Sequence, residues 1–389
     1  MKGIGERNNM EELKKTRLGD ILNFRRGHDL PKSQMIDGSI PVAGSNGIIG
    51  YHNTPTPISP CITIGRSGSI GIPYIYDKCW AHNTVLYVDD FKGNDPEYLY
   101  YLLKTLPLSS FTGGSAVPTL NRNHIHPMEV KCHTNITVQR KVVNILKSLD
   151  DKIELNNRIN ANLEEQAQAL FRRWFVDFEF PNEQKLPYKS HGGKFIDSEL
   201  GRIPKEWKVG TLSDIANIIM GQSPSGESYN ENGEGKVFYQ GRTDFGNRFP
   251  SRRLFTTEPK RMAEEKSVLL SVRAPVGDIN IAIEKCCIGR GLASIRAKND
   301  FYSFLLYTML NLKDKLNLFN GEGTVFGSIN KTSLESIHIV KPNLLTVQSF
   351  EFLIKDFDRQ IKRNYYETVS LEQLRDVLLP KLMNNEIKL

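Results

Sequence analysis

The chain has 389 residues, of which 39% are hydrophobic and 24% are charged, a composition typical of a soluble protein of two or three domains. It contains no run of about 18 apolar residues and no apolar stretch near its start, so we predict neither a membrane span nor a signal peptide and expect a cytoplasmic location. The formal net charge of +7 favours a polyanionic partner such as nucleic acid.

The predicted elements follow the same order twice along the chain. Short β-rich runs such as residues 61–64 come first, punctuated by Gly, Pro and Asn, and a helix is predicted at residues 96–106. A long helix follows, because residues 138–178 lack Pro and Gly and carry apolar residues at spacings of four and three. The second half has a β-rich run at 268–272, a helix at 301–316 and another heptad pattern. Each half is therefore predicted to be a mixed α/β globule followed by a long helix.

Short matching motifs recur in the same order in the two halves. Residues 18–21 (LGDI) reappear as 212–215 (LSDI), and Arg66 matches Arg273 in a similar loop context. Further matches follow at an offset that drifts slowly along the chain. The sequence therefore predicts an internal duplication, with one unit present in two copies.

Asn156 and Asn364 occupy equivalent positions in the two heptad patterns, since 364 − 156 = 208. A buried Asn at a core heptad position costs stability but specifies register and partner. If the two helices pair antiparallel about a pseudo-two-fold axis, equivalent central residues meet. We therefore predict that the Cα atoms of Asn156 and Asn364 lie within about 12 Å of each other. The alternative is two unrelated surface asparagines.

Aromatic residues crowd the end of the first long helix. They either pack on the neighbouring globule or dock a partner, and packing within the chain is the favoured interpretation. These residues are Phe171, Trp174, Phe175 and Phe178.

Five cysteines are present, an odd number, and none is part of a CxxC motif. Neither a disulfide framework nor structural zinc is expected, so we predict free cysteines buried as small apolar groups. His124 and His126 alternate as on a strand, but no carboxylate or cysteine lies at a recognisable ligand spacing from them. No metal site is predicted.

Two similar globules at opposite ends of an antiparallel helix pair suit a DNA duplex, whose grooves recur every ~34–36 Å. Such a protein places one globule in each of two grooves and reads a bipartite site with an unread spacer. Because the globules differ at most positions, the two half-sites should differ as well.

Candidate DNA-binding residues are those whose chemistry suits bases or phosphates and which lie in Gly- and Ser-rich loops. Arg and Lys pair with guanine, Asn and Gln pair with adenine, and phosphate contacts position the protein. Arg66 and Arg273 form the best pair because their loop positions match. The candidates in the first copy are Arg25, Arg26, Lys32, Ser33, Asn46, Arg66, Ser67, Asn121 and Arg122. Those in the second copy are Gln222, Ser223, Ser225, Gln240, Arg242, Arg252, Arg253, Arg273, Asn330 and Lys331.

Several motifs resemble those of type I restriction-modification DNA specificity subunits and occur in the same order as in that family. The resemblance covers nearly the whole chain. Residues 200–207 (LGRIPKEW) and 210–215 resemble the start of the family's second recognition domain, and residues 174–181 (WFVDFEFP) resemble the end of its first long helix. The segments 221–224, 271–277 and 289–291 are similar to the family's loops.

The resemblance implies an α+β fold with a pseudo-two-fold internal repeat. Two similar mixed α/β target-recognition domains would be joined by two long antiparallel coiled-coil helices. The predicted segments are a first recognition domain at 1–137, a first long helix at 138–180, a linker at 181–207, a second recognition domain at 208–345 and a second long helix at 346–389.

The resemblance also implies a non-catalytic subunit of a larger complex. Its expected partners are double-stranded DNA and two methyltransferase subunits bound along the helices, and the family allows two restriction subunits as well. S-adenosylmethionine, ATP and Mg²⁺ are expected on those partners, and no cofactor is expected in this chain.

Motifs for catalysis are missing from the sequence. There is no GxxxxGK[ST] phosphate loop and no Asn/Asp-Pro-Pro-aromatic motif. The Glu183-x-Lys185 pair has a loose likeness to a nuclease motif, which also needs a nearby Asp to hold the metal, but it lies after a helix in a polar linker, so no nuclease role is predicted. Two alternatives stay open: a duplicated protein-interaction scaffold without DNA specificity, and an enzyme with an unfamiliar site in the globules.

Overall fold

The computed structural model describes residues 13–111, 119–320 and 327–389. Residues 1–12, with which the first predicted domain begins, lie outside that description. The chain divides into two units, the first formed by residues 1–157 and 365–389 and the second by residues 158–364. Within the described ranges, no helix is both long and apolar enough to cross a membrane.

The first unit contains a globule of short strands and helices. Its core is formed by side chains of a four-stranded sheet, of the short helices, such as Leu99, and of the long helices, which contribute Val142 and Leu382. The strands are β1 (Leu13–Arg17), β2 (Asn23–Arg26), β3 (Ile40–Gly44), β4 (Gly47–His52), β5 (Cys61–Gly65), β6 (Pro73–Tyr76), β7 (Trp80–Ala81), β8 (Val85–Asp90) and β9 (Glu129–His133). The short helices are α1 (Leu18–Ile21), α2 (Pro96–Lys104) and α3 (Arg122–Ile125), and the long helix α4 (Ile136–Phe171) follows.

The second unit contains a globule of the same kind. Its core joins strand residues such as Leu270 and Ile295 to Phe171 and Phe350 of the long helices. The strands are β10 (Phe195–Ser198), β11 (Gly201–Pro204), β12 (Lys208–Thr211), β13 (Ala216–Met220), β14 (Tyr229–Asn230), β15 (Lys236–Tyr239), β16 (Leu254–Thr256), β17 (Met262–Ala263), β18 (Val268–Ser271), β19 (Ile279–Ile281), β20 (Cys286–Ile288), β21 (Leu292–Ala297) and β22 (His338–Lys341). The helices are α5 (Leu212–Ile215), α6 (Tyr302–Asn311), α7 (Lys313–Asn317), α8 (Lys331–Glu335) and the long α9 (Leu344–Met383).

The two globules share one strand topology. The antiparallel sheet β2-β8-β5-β6 of the first unit corresponds to β13-β21-β18-β19 of the second. The antiparallel pair β1-β9 corresponds to β12-β22, and in each unit one further strand pair is parallel, β3 with β7 and β15 with β20. The central strands β5 and β18 are buried along their whole length, which explains their continuous apolar runs. The predicted α+β fold with an internal repeat is confirmed.

The long helices differ at their ends from the segments predicted for them. Helix α4 has 36 residues, and a π-helical turn at Arg172–Val176 follows it. The predicted helix at 138–180 therefore stops early: Phe178 adopts a left-handed conformation with φ of +60°, which ends a helix. Helix α9 has 40 residues and ends at Met383, before the end of the predicted segment 346–389.

The predicted linker at 181–207 is folded rather than extended. It contains the β10-β11 hairpin, and its last residue, Trp207, is buried. Phe180 stacks on Trp207 with ring centroids 4.8 Å apart, and Phe175 contacts the same ring at 5.8 Å. The aromatic residues at the end of α4 therefore pack within the second unit, as favoured from the sequence.

The long helices run antiparallel within each unit. In the first unit Arg375 of α9 pairs with Asp150 of α4 at 2.8 Å, and Asn156 donates to Glu367 at 3.0 Å. In the second unit Asn364 donates to Asn160 at 2.8 Å. Asn156 is 0% exposed and Asn364 is 2% exposed, so neither is a surface asparagine. Their mutual distance stays a prediction, which Cα atoms well over ~12 Å apart in a crystal structure would contradict.

A buried arginine ties the second globule to both long helices. Arg248, in the loop after β15, forms ion pairs with Glu164 of α4 and Asp358 of α9 and donates to the Tyr307 hydroxyl at 3.3 Å. Burial opposes the charged form, but Asp358, Tyr307 and Glu164 together raise the pKa of Arg248 well above its usual range. The guanidinium therefore stays charged and holds three elements together.

We expect Arg248→Met to lower the free energy of unfolding by about 3 kcal/mol, because it leaves two largely buried carboxylates without their cation. Urea denaturation would measure the change. The control is Arg359→Met on α9, since Arg359 pairs with Asp356 at the surface and should cost under ~1 kcal/mol. Equal losses in the two variants would contradict the role given to Arg248.

Glu351 of α9 is a buried acid beside the start of α6. Burial is the main cause that raises its pKa to about 7, and Asp358 adds to the effect. Hydrogen bonds from Ser303 and from the Phe304 backbone N–H, at 2.7 Å, act in the opposite direction. The carboxyl is therefore partly protonated near neutral pH.

Stability should fall as pH rises from about 4.5 through about 7, because over that window the folded state holds a proton on Glu351 that the unfolded state has lost. Glu351→Gln should be more stable than the wild type at about pH 8 and similar to it at about pH 4.5. Thermal melts across this range would test this, with the exposed Glu258→Gln as control. A Glu351→Gln difference independent of pH would contradict it.

Candidate nucleic-acid interface

Four loops of the second unit meet at the ends of its strands, and we call residues 221–223, 240–244, 272–275 and 289–291 the second loop cluster. Backbone hydrogen bonds join them: Gly289 N–H donates to Tyr239 at 2.8 Å, and Val272 N–H donates to Gly291 at 2.9 Å. Gln222 N–H donates to Ile288 at 3.0 Å. The loops therefore form one continuous surface rather than four independent tips.

Glycines allow the close approach of these loops. A Cβ atom on Gly221 would lie 2.2 Å from the carbonyl oxygen of Gly289, and one on Gly289 would lie 2.8 Å from that of Gln240. Only a residue without a side chain fits such backbone contacts. The Gly221 loop and the 289–291 turn are in this way locked against each other.

The first unit has a corresponding set of loops, residues 26–28, 44–46, 65–68 and 81–84, which we call the first loop cluster. His82 N–H donates to Ala43 at 3.0 Å, and Arg66 N–H donates to Thr84 at 2.8 Å. A Cβ atom on Gly27 would lie 2.0 Å from the carbonyl oxygen of His82. Gly27 thus contacts the 81–84 turn as Gly221 contacts the 289–291 turn.

The predicted first-copy residues lie in or near the first loop cluster. Leu120 N–H donates to Arg66 at 2.8 Å, which brings the start of α3 to the cluster. The cluster itself contains Arg26, Asn46, Arg66 and Ser67, and Arg25 precedes it. The start of α3 holds Asn121 and Arg122. An exposed 3₁₀ turn at Lys32–Gln34 holds Lys32 and Ser33.

Several of these first-copy side chains have structural partners. Asn121 caps α3 by accepting from Asn123 N–H at 2.9 Å, and Arg122 donates to the Phe24 carbonyl at 3.2 Å. His126, weighed above as a metal ligand, accepts from the Phe24 N–H at 3.0 Å.

The predicted second-copy residues divide by their partners. Gln222, Ser223, Gln240, Arg242 and Arg273 belong to the second loop cluster, and Ser225, Arg252 and Arg253 lie outside it. Asn330 caps α8 by accepting from Ser333 at 2.9 Å, and Lys331 pairs with Glu335 at 3.5 Å.

Three of the second-copy arginines are held by acids. Arg242 pairs with Asp278, Arg252 with Glu284 at 2.6 Å, and Arg253 with the buried Asp244 at 3.0 Å. These contacts lie within the globule. The positive segment 242–261 is therefore largely neutralised by the fold.

Arg66 and Arg273 remain available for a ligand. Over residues 13–111, 119–320 and 327–389, neither side chain makes an ion pair or a side-chain hydrogen bond. Arg273 is exposed and Arg66 is partly exposed. Both arginines are therefore free in this part of the chain, although the backbone hydrogen bonds place Arg66 level with Val272 rather than with Arg273.

The structure adds cluster residues that sequence reasoning missed. Arg290 is exposed at the tip of the 289–291 turn, and its backbone N–H donates to the Ser223 hydroxyl at 3.2 Å. His28, His82 and Asn83 belong to the first loop cluster. Burial lowers the pKa of His82, with Asp29 partly opposing this. The signal that could have found Arg290 was its position between two glycines.

The described part of the chain contains no group of three or more His, Cys, Asp or Glu side chains arranged to hold a metal ion. All five cysteines are free and buried, which confirms the prediction made for them.

Comparison with known proteins gives related specificity subunits. One relative, from Methanocaldococcus jannaschii and provisionally named the MjaX type I restriction enzyme specificity subunit, is 32% identical over 303 residues, covering 76% of this chain and 68% of the relative. The HindI type I restriction enzyme specificity subunit of Haemophilus influenzae is 24% identical over 365 residues, covering 75% of this chain and 77% of the relative.

The fold is also known from experiment. The crystal structure of the type I restriction-modification system S subunit from M. genitalium aligns with a TM-score of 0.58 and 17% identity, covering 97% of each chain. This likeness shows that the two proteins share a fold.

The family model described as the type I restriction modification DNA specificity domain matches residues 10–165 and 204–370. The two matched segments fall on the two copies of the repeat and together cover well over half of the chain. Since the model matches each globule together with most of the long helix after it, the chain belongs to the family of type I restriction-modification DNA specificity subunits.

Proposed function

We propose that this chain is the non-catalytic subunit that gives a type I restriction-modification complex its choice of DNA sequence. The observation that carries the proposal is the presence of two loop clusters with the same backbone arrangement but different side chains. Each presents an arginine, Arg66 or Arg273, that has no acidic partner among the described residues. Two unlike clusters suit two unlike half-sites, so the proposed target is bipartite and asymmetric.

The proposed partners are two methyltransferase subunits docked along the long helices, with two restriction subunits as further members of the complex. Exposed apolar residues on α9 support this docking: Leu345 is 73% exposed and Phe352 is 76% exposed, seven residues apart on one helix face. S-adenosylmethionine, ATP and Mg²⁺ would be bound by those partners.

A duplicated scaffold without DNA specificity is not favoured. The matched family model is that of a DNA specificity domain, and free arginines belong to both loop clusters. A scaffold would bind its partners without the steep salt dependence that phosphate contacts produce.

DNA from cells that express this chain with its methyltransferase subunit should carry methyladenine in a defined sequence motif. Single-molecule sequencing of methyladenine should find a split motif, two short unlike halves around an unread gap. The motif should be absent when this chain is omitted. An assembled, soluble complex that yields no such motif would support the scaffold instead.

Arg66→Ala and Arg273→Ala should each weaken DNA binding by the assembled complex by roughly tenfold. Each should also reduce, by about 1, the slope of the logarithm of the binding constant against the logarithm of the salt concentration. Fluorescence anisotropy at several salt concentrations would measure both. Lys285→Ala, which removes an exposed cation already paired with Glu264, is the matched control and should leave the slope unchanged. Equal slopes in all variants would exclude phosphate contacts by the two arginines.

A further inference from the structure

Two exposed arginines stand side by side in the second loop cluster. Val272 N–H donates to the Gly291 carbonyl at 2.9 Å, and Arg273 and Arg290 are the residues next to this hydrogen bond on its two sides. Both are exposed, and neither pairs with an acid anywhere in the part of the chain that the structure describes. Arg242, the other arginine of the second loop cluster, is bound to the carboxylate of Asp278.

The first loop cluster has the same backbone arrangement with other side chains. Arg66 N–H donates to Thr84 at 2.8 Å as Val272 N–H donates to Gly291, so the residue that corresponds to Arg273 is Ser67. The residue that corresponds to Arg290 is Asn83, since 290 − 83 = 207 and both follow the residue whose backbone contacts Gly27 or Gly221. The first copy thus has neither arginine of the pair.

This difference separates two kinds of DNA contact. The phosphate backbone has the same chemistry in every sequence, so a phosphate contact can use the same residue in both copies. A base contact must differ where the half-sites differ. Positions 83 and 290, which hold different residues in the two copies, therefore fit base contacts.

Arg290 is held on a rigid support. Its backbone N–H is bonded to Ser223, Gly289 N–H is bonded to Tyr239, and Leu292 N–H closes the turn onto Gly289 at 2.9 Å. A turn fixed in this way loses little conformational freedom when its side chain binds a ligand. The turn also contacts the three other loops, which places Arg290 at the centre of the cluster.

Asn83 lacks the charge and the freedom of Arg290. Its side-chain amide donates to the carboxylate of Asp29, and Arg26 lies 3.9 Å from the same carboxylate. The first cluster therefore offers no free guanidinium at this position.

We propose that Arg290 reads a guanine in the half-site bound by the second unit, by donating two hydrogen bonds to its O6 and N7 atoms in the major groove. Arginine is the side chain whose fork of donors matches this edge. This proposal rests on the function proposed above and assigns one base-reading residue within it.

The test compares Arg290→Ala and Arg290→Lys with the wild type, each assembled with the methyltransferase subunit, by sequencing of methyladenine. Arg290→Ala should lose the requirement for guanine at one position of one half-site, with discrimination falling about tenfold or more, and Arg290→Lys should keep part of it. The other half-site should be read as before, which shows that the complex has folded. Lys285→Ala, at an exposed lysine paired with Glu264, is the control and should leave the motif unchanged.

A uniform loss of methylation at an unchanged motif, restored by Arg290→Lys, would overturn the inference in favour of a phosphate contact. An unchanged motif in both variants would overturn it as well. If a variant methylates too little DNA to define a motif, anisotropy with 7-deazaguanine at each guanine of the half-site replaces sequencing. The wild type should then bind one substituted duplex more weakly and Arg290→Ala should not; equal losses in both would reject the contact. A wild type with no split motif would instead contradict the proposed function itself.

Discussion

In each unit a guanidinium group is held between the two long helices, and the position of the globule against those helices depends on it. In the second unit Arg248 comes from a loop of the globule and binds Glu164 and Asp358. Taking such a charge out of water costs several kcal/mol, and only well-placed carboxylates offset that cost. The network therefore specifies one arrangement of three elements within the unit rather than adding a large net stability.

The first unit reaches a similar result with an arginine from another element. Arg375 of α9 pairs with Asp150 of α4, and Tyr101 donates to the same carboxylate at 2.7 Å. Asp150 corresponds to Asp358, since 358 − 150 = 208, and Tyr101 corresponds to Tyr307 in the equivalent helix. The residue that corresponds to Arg375 is Ala167, which is buried in the second core. The duplication has thus kept the acid and the tyrosine but changed the source of the cation.

This pattern of a constant frame with changed side chains extends to the loops. The four-stranded sheets repeat strand for strand, and glycines keep the loop backbones in contact in both units. On that frame the exposed residues vary, as Asn83 and Arg290 do. A specificity subunit needs such a division, because the DNA backbone is nearly two-fold symmetric whereas the two halves of an asymmetric site are not.

Much of this protein could be read from the sequence. Local periodicity and a drifting repeat offset identified the two globules and the two long helices, because these signals are carried by residues close together in each copy. The match of Arg66 with Arg273 was off by one position, since the backbone hydrogen bonds place Arg66 level with Val272. The helix end at Phe178 and the folded segment 181–207 were missed, since they depend on aromatic packing around Trp207. Which arginines are free was also decided only by the tertiary structure. Arg252 and Glu284 lie 32 positions apart (284 − 252 = 32), and Arg290 contacts Ser223 of another loop in the second loop cluster, 67 positions away (290 − 223 = 67). Contacts between distant segments have no periodic signature, so charge along the chain does not show which cations the fold neutralises and which it presents to a ligand.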